Sequence, residues 1–389
     1  MTELTKKPPT PAGNRLATLD LLRGWFLIVI LVNHLFYFPS GYDLISGRGM
    51  LLVSAAEGFF IISGLLIGII RGGRVSNVPF LGIWKKLWKR GIILYAWSVG
   101  LSFFYILLGW LFYDTPGLKW GLVPPWTNIP EVIGQVLSLQ YFYGWADFLR
   151  MYAVYIFVAP LAIWLLRKGR WYVVVTLSAL VWLVPQKPVV ETNMIYTWQT
   201  LFFGALIVGY YWEPIKKFLR SAQKRLLNGV VYTLLAITAL TIALSVVSAF
   251  VAPSLEGPTW DWISKLTQSV PENVLFHKGN MPLLRLVLSF IWFASFFWLF
   301  YRHEKWLVSK LGWLLLPLGQ NSLLVYIVQS LVIFAMHMLL RPSAFNFTSE
   351  HSLLREGATI ATNFLLTSFA IGLVWLSAKY RRFLPFIPR

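Results

Sequence analysis

The chain contains no cysteine, which excludes disulfides, thiolate nucleophiles and cysteine-held metals. Charge is scarce as well: 13% of the 389 residues are charged, against about 25% in an ordinary soluble domain. Acidic residues are rarest, with 15 Asp and Glu beside 34 Lys and Arg. No metal cofactor is expected. The abundant material is apolar: 57% of residues are hydrophobic, including 20 Trp, 17 Tyr and 29 Phe. Aromatics in such number suit interfacial belts as well as packing, so they argue for no ligand by themselves. The fold class that follows is all-α, a polytopic integral membrane protein.

Apolar runs long enough to span a bilayer fall near 17 to 38, 50 to 70, 91 to 112, 149 to 166, 171 to 186, 196 to 212, 229 to 252, 281 to 301, 313 to 340 and 357 to 378. About ten helices are predicted, with both termini cytoplasmic. Residues 1–16 read as a cytoplasmic tail, 17–379 as one membrane domain and 380–389 as a short basic tail. The first span lacks a small-residue cleavage site and reads as a retained signal anchor. Charge checks the topology independently, because cytoplasmic loops carry excess Lys and Arg. Of the 34 basic side chains, 24 fall on predicted inside segments and seven on predicted outside loops. That asymmetry explains the net charge of +19 without nucleic acid, and no nucleic-acid partner is expected. The long outside connections, 39 to 49, 113 to 148 and 253 to 280, are expected to carry short interfacial helices and to roof an outer vestibule.

The first span, LATLDLLRGWFLIVILVNHL, places Asp20, Arg23, Asn33 and His34 in an apolar run. Ionisable groups at such depth are costly and mark function by default. Arg23 and His34 are eleven positions apart, so they lie roughly 16 Å apart on one helix face. Asp20 is a turn from Arg23 and can neutralise it, whereas His34 has no charged neighbour within a turn. A lone intramembrane histidine is a candidate for proton chemistry. Glu57, in the second span, lies at comparable depth and is expected to orient His34; its structural alternative is an ion pair with Arg150 or Arg285.

Asp147, Arg150, Trp198, Gln199 and Arg285 open their spans at the outer side. With Asn33, the residues Arg150, Trp198, Gln199 and Arg285 are expected to line an outward cavity that binds a polyhydroxylated acceptor. On the inner side, WKKLWKR supplies Lys85, Lys86, Lys89 and Arg90, and PLGQNS supplies Gln320, Asn321 and Ser322. A juxtamembrane basic cluster binds anionic lipid head groups or, more sharply, the phosphates of a cytosolic cofactor. Two polar layers joined by one helix face suit acyl-CoA, with its phosphorylated head and thin arm. The expected donor residues are Arg23, Lys86, Lys89, Arg90, Gln320, Asn321 and Ser322, with His34 and Glu57 catalytic. The chemistry would be acyl transfer, with His34 as general base for an acceptor hydroxyl. The rival is a transporter or flippase for a lipid-linked glycan; a scaffold role would leave His34 without a task.

An Arg, ten intervening residues and a His in the first span, FFIISG at 59 to 64 and PLGQNSLLVYIVQ at 317 to 329 together resemble the membrane acyltransferase-3 superfamily. LDLLRG at 19 to 24, AAEGFF at 55 to 60, RMYAVYIFVAPLAIWLL at 150 to 166 and TWQTLFFGA at 197 to 205 resemble its OpgC-like branch, the glucan succinyltransferases. The first span is also similar to that of heparan-glucosaminide N-acetyltransferase relatives. The resemblance implies a ten-helix enzyme of the bacterial inner membrane that moves acetyl or succinyl from cytosolic acyl-CoA to an outer glycan, with Arg23 on the donor side and His34 as base. The chain departs from the pattern at Gln329, where many acyltransferase-3 relatives carry histidine, and its basic cluster is mostly lysine.

Overall fold

The structure, a computed structural model, describes residues 17–72, 79–119, 121–145, 147–183, 193–268, 270, 273–340 and 353–384. The predicted tail at 1–16 lies outside the described residues, as does the end of the C-terminal tail beyond 384. Among the described residues there are helices and no strands. In chain order they are α1 (Ala17–Leu35), α2 (Asp43–Ser46), α3 (Ala55–Ile67), α4 (Phe80–Leu111), α5 (Ile129–Leu137), α6 (Asp147–Arg167), α7 (Trp171–Trp182), α8 (Asn193–Tyr210), α9 (Trp212–Ser221), α10 (Lys224–Val246), α11 (Pro258–Lys265), α12 (Leu283–Arg302), α13 (Glu304–Gln320), α14 (Ser322–Leu339) and α15 (Leu353–Lys379).

Seven of the described helical segments are long and apolar enough to cross a membrane: α1, α4, α6, α10, α12, α14 and α15. Shorter apolar helices, α7 and α8, pack beside them. Every predicted run carries a helix, with one difference. The run at 313 to 340 is two helices, α13 and α14, separated at Asn321. Asn321 leaves helical geometry there, and its side chain donates to the Pro317 carbonyl at 2.9 Å. Each long outer connection does hold a short helix, α2, α5 and α11.

Helix α1 sits at the centre, buried along nearly its whole length. In lipid there is little hydrophobic drive between helices, so close backbone approach has to come from small residues. A Cβ on Gly24 would collide with the Leu315 carbonyl, and one on Gly319 with the Asp20 carbonyl, which seats α13 on α1. Gly64 and Gly209 do the same for α3 and α8, meeting the carbonyls of Phe202 and Leu65. Gly58 of α3 in turn faces the Phe26 ring of α1, so α1 and α3 pack side by side, and both candidate regions are built on them.

Candidate active site

At the outer end of α1, the His34 Nδ1 lies 2.7 Å from the Ile30 carbonyl oxygen. A carbonyl only accepts, so Nδ1 carries the hydrogen and the neutral ring presents Nε2 as its basic nitrogen. The orienting partner is therefore backbone from the preceding turn. The charged groups that act on the ring are Asp147 and Lys278. Asp147 opens α6 beside the Tyr326 hydroxyl (3.3 Å to Oδ1), which also faces the Trp145 carbonyl at 3.1 Å and accepts the Phe148 N–H at 3.2 Å. His337 donates Nε2–H to the His34 carbonyl at 2.9 Å and lies against the Trp145 ring, centroids 4.6 Å apart.

Lys278 belongs to the turn before α12. Trp198 donates its indole N–H to the Lys278 carbonyl at 3.0 Å, and Thr197 its hydroxyl to the Gly279 carbonyl at 2.7 Å. The ammonium lies 6.0 Å from the Trp198 ring centre. Burial holds it below its ordinary value; Arg285 pushes the same way, and Glu57 and Asp147 oppose. Asp147, Lys278 and His337 thus gather around His34 from α6, the turn before α12 and α14, and Tyr326, lower on α14, reaches up to Asp147.

Glu57 does not join them. Its Oε2 accepts the Ser54 N–H at 2.8 Å and the Ser54 hydroxyl, while its Oε1 accepts Arg285 Nε at 2.7 Å and pairs with NH2 at 2.6 Å. No hydrogen bond or ion pair joins Glu57 to His34. Depth along a helix gives a residue's level but not its direction, and Glu57 points at α12. Arg285 is held further by the Phe276 carbonyl at 2.6 Å. The pair staples α3 to α12.

The expected acceptor residues are mostly occupied in the same way. Arg150 donates to the Leu139 carbonyl at 3.1 Å and stacks on Phe142, 4.1 Å from the ring centre, so it holds the strap before α6. Gln199 exchanges two hydrogen bonds with Ser178, at 2.7 and 2.8 Å, joining α8 to α7. Trp198 is buried and clamped to the Lys278 carbonyl. Asn33 differs. It packs under the turn at Gly49, and its buried Oδ1 has no hydrogen-bond partner among the described residues.

The inner group also divides. Arg23 lies over Phe59, 5.7 Å from the ring centre, and Arg90 over Tyr152 at 5.8 Å. The two guanidinium groups act on each other, Asp20 and Tyr152 act on Arg23, and Arg71 acts on Arg90. Both Arg23 Nε and Arg90 Nε are buried without a partner among the described residues. Unpaired donors on converging cations fit phosphate oxygens. Lys86 and Lys89 are exposed; Lys86, one turn before Arg90, borders it on the solvent side, and Lys89 is turned about 100° away. Gln320 is exposed; Asn321 accepts from Arg381 at 3.2 Å and ties to α15; Ser322 is half-buried beside it. Among the expected donor residues, the structure brings together only Arg23 and Arg90, and it adds Arg71.

Between the two ends lies Phe148, its ring centre 4.2 Å from Phe60, 4.9 Å from Phe59, 5.2 Å from Tyr326 and 6.1 Å from Tyr152. Phe59 carries Arg23 and Tyr152 carries Arg90, so Phe148 lies between the rings beneath the arginines and Tyr326, which meets Asp147. Surface grooves over Gly229 of α10 and Gly100 of α4 involve none of these residues. No group of His, Asp and Glu among the described residues is arranged to hold a metal ion.

Sequence reasoning placed Asp147 at the opening of its span without assigning it a role of its own, and it did not single out Lys278, Tyr326, His337 and Arg71. Lys278 did carry a signal, as one of few cations on an outer connection. No curated protein and no solved structure is significantly similar to the chain. A family model described as OpgC protein matches residues 15–382, nearly the whole length. The chain belongs to the OpgC protein family.

Proposed function

We propose that the protein is a membrane O-acyltransferase that moves an acyl group, acetyl or succinyl, from cytosolic acyl-CoA to a hydroxyl of an extracytoplasmic glucan. Family membership supports an acyltransferase-like role in glucan modification. The observation that carries the finer reading is the polarity of α1: a base with a fixed tautomer at one end, and arginines with unpaired buried donors at the other. Arg23 and Arg90, with Arg71 behind them, hold the phosphorylated head of the donor. Its thin arm runs along α1 past Phe148 and brings the thioester to His34.

There His34 Nε2 takes the proton of an acceptor hydroxyl as its oxygen attacks the thioester carbonyl. The new C–O bond forms, the C–S bond breaks, and the thiolate leaves with the proton that the imidazolium returns. Asp147 stabilises the imidazolium as it forms, and Lys278 faces the oxygen on which charge develops. Asn33 Oδ1 accepts a hydrogen bond from the sugar. The logic resembles that of the acyltransferase-3 superfamily, and the setting is the inner membrane of a bacterial envelope, with membrane lipids around the bundle.

Purified protein, wild type beside His34→Ala and Arg23→Ala, tests this with acetyl- and succinyl-CoA. Wild type is expected to bind one of them and release thiol slowly. His34→Ala should lose turnover by about 10²-fold or more with binding retained. Arg23→Ala should weaken binding by about tenfold or more. If wild type binds neither donor, the acyltransferase reading fails and the flippase alternative becomes the one to test.

A further inference from the structure

Gln329 lies on α14 with its side chain amide buried to 2% exposure, and its Oε1 has no hydrogen-bond partner among the described residues. A buried acceptor left alone carries its full desolvation cost, so natural cores rarely keep one without a use. Its face is clear. Val325, Ile333 and Met336, at the spacings that share a helix side with it, are all buried, while Ala335 and Leu339 look outward. Gln329 therefore points into the bundle, in which α14 packs on both α15 and α1.

Its level is set by the contact of His337 with the His34 carbonyl. Gln329 precedes His337 by eight residues, about 12 Å toward the inner side, whereas Arg23 precedes His34 by eleven, roughly 16 Å. For neighbouring spans running the same way, that places Gln329 a few Å outward of Arg23 and well short of His34. Tyr326, one turn earlier on α14, touches the Phe148 ring. Gln329 thus stands beside the stretch that the donor arm has to cross.

That arm is apolar except for one hydroxyl and two amide groups, and the amide N–H donors lose water on entering the bundle and need an acceptor there. The geometry points to Gln329 as the residue that supplies it: its Oε1 accepts an amide N–H of the acyl-CoA arm and sets how far the thioester advances toward His34. This rests on the donor reading above and adds a residue that acts on the arm alone.

The experiment measures binding of free CoA, and of its head alone, adenosine 3′-phosphate 5′-diphosphate, to purified wild type, Gln329→Leu and Gln329→His. Gln329→Leu should weaken CoA binding by about tenfold, the worth of one hydrogen bond to a buried acceptor. It should leave head binding unchanged and keep a melting temperature at least equal to wild type, since leucine of similar volume removes an orphaned polar atom. Gln329→His retains a ring acceptor and should keep CoA binding. Equal losses for CoA and for the head, or no loss for either, would overturn the assignment while leaving the donor intact. A wild type that binds neither ligand would instead remove the donor reading, and this inference with it.

Discussion

A fully buried carboxylate needs partners for both its oxygens, and Glu57 has them: Ser54 on one, Arg285 on the other. Removing one member of a buried pair leaves an uncompensated charge, at a cost of about 3–5 kcal/mol. Glu57→Leu is accordingly expected to lower the melting temperature sharply, and Glu57→Leu with Arg285→Leu to restore most of it, because the pair can be replaced by apolar packing. If Glu57 oriented His34, the double variant would recover stability but not acyl transfer. Recovery of both is the expected outcome. Glu57 was legible in the sequence as functional or structural, because its depth was known; choosing between the two required its direction.

Helix α4 shows what an element adds. Arg90 lies about 20° from Ile83 and about 40° from Leu94 on a helical wheel, beside the buried stripe of a helix that packs on α6, whereas Lys89 is about 120° from Ile83. The buried state of Ile83, Leu87 and Leu94 confirms which face turns inward. The sequence held this signal; reading the basic cluster as one unit concealed it. The turn before α12 has no such periodicity. It is held by His277, whose Nδ1 accepts the Asn280 N–H at 3.1 Å while its Nε2 is buried without a partner among the described residues. Burial, with Arg285 adding, holds this imidazole below its ordinary 6.5. The native state thus resists a proton that the unfolded chain accepts, so stability is complete above about pH 6.5 and falls as pH drops below it. Thermal melting between pH 7.5 and 5 should show that fall, and His277→Asn, whose side-chain oxygen can still accept from Asn280, should flatten it. Because this turn positions Lys278 over Trp198, transfer activity should decline over the same range.

At the scale of the whole molecule, the aromatic group around Phe148 joins the surroundings of the arginines to those of Asp147. A ring in contact with Phe59, Phe60, Tyr152 and Tyr326 lies between the arginines and Asp147; under the proposed function it would keep water from the thioester until the donor arm displaces it. Phe148→Leu keeps apolar volume but loses the ring. It is expected to raise acceptor-independent hydrolysis of acyl-CoA severalfold relative to transfer, measured as thiol release with and without glucan. An unchanged ratio would mean that the ring serves packing alone.

The sequence by itself determined the membrane class, the run of helices, and the placing of Arg23 and His34 eleven positions apart on one helix. Those follow from composition and from one-dimensional periodicity, because a residue's level in a helix is its count along the chain. Tertiary structure decided everything that depends on azimuth and on loops: Glu57 turned to Arg285, Arg150 and Gln199 tied to their own scaffold, Lys278 folded back from a distant turn, and the break at Asn321. These are contacts between residues far apart in sequence, fixed by which glycines let which helices approach, and no spacing along the chain encodes them.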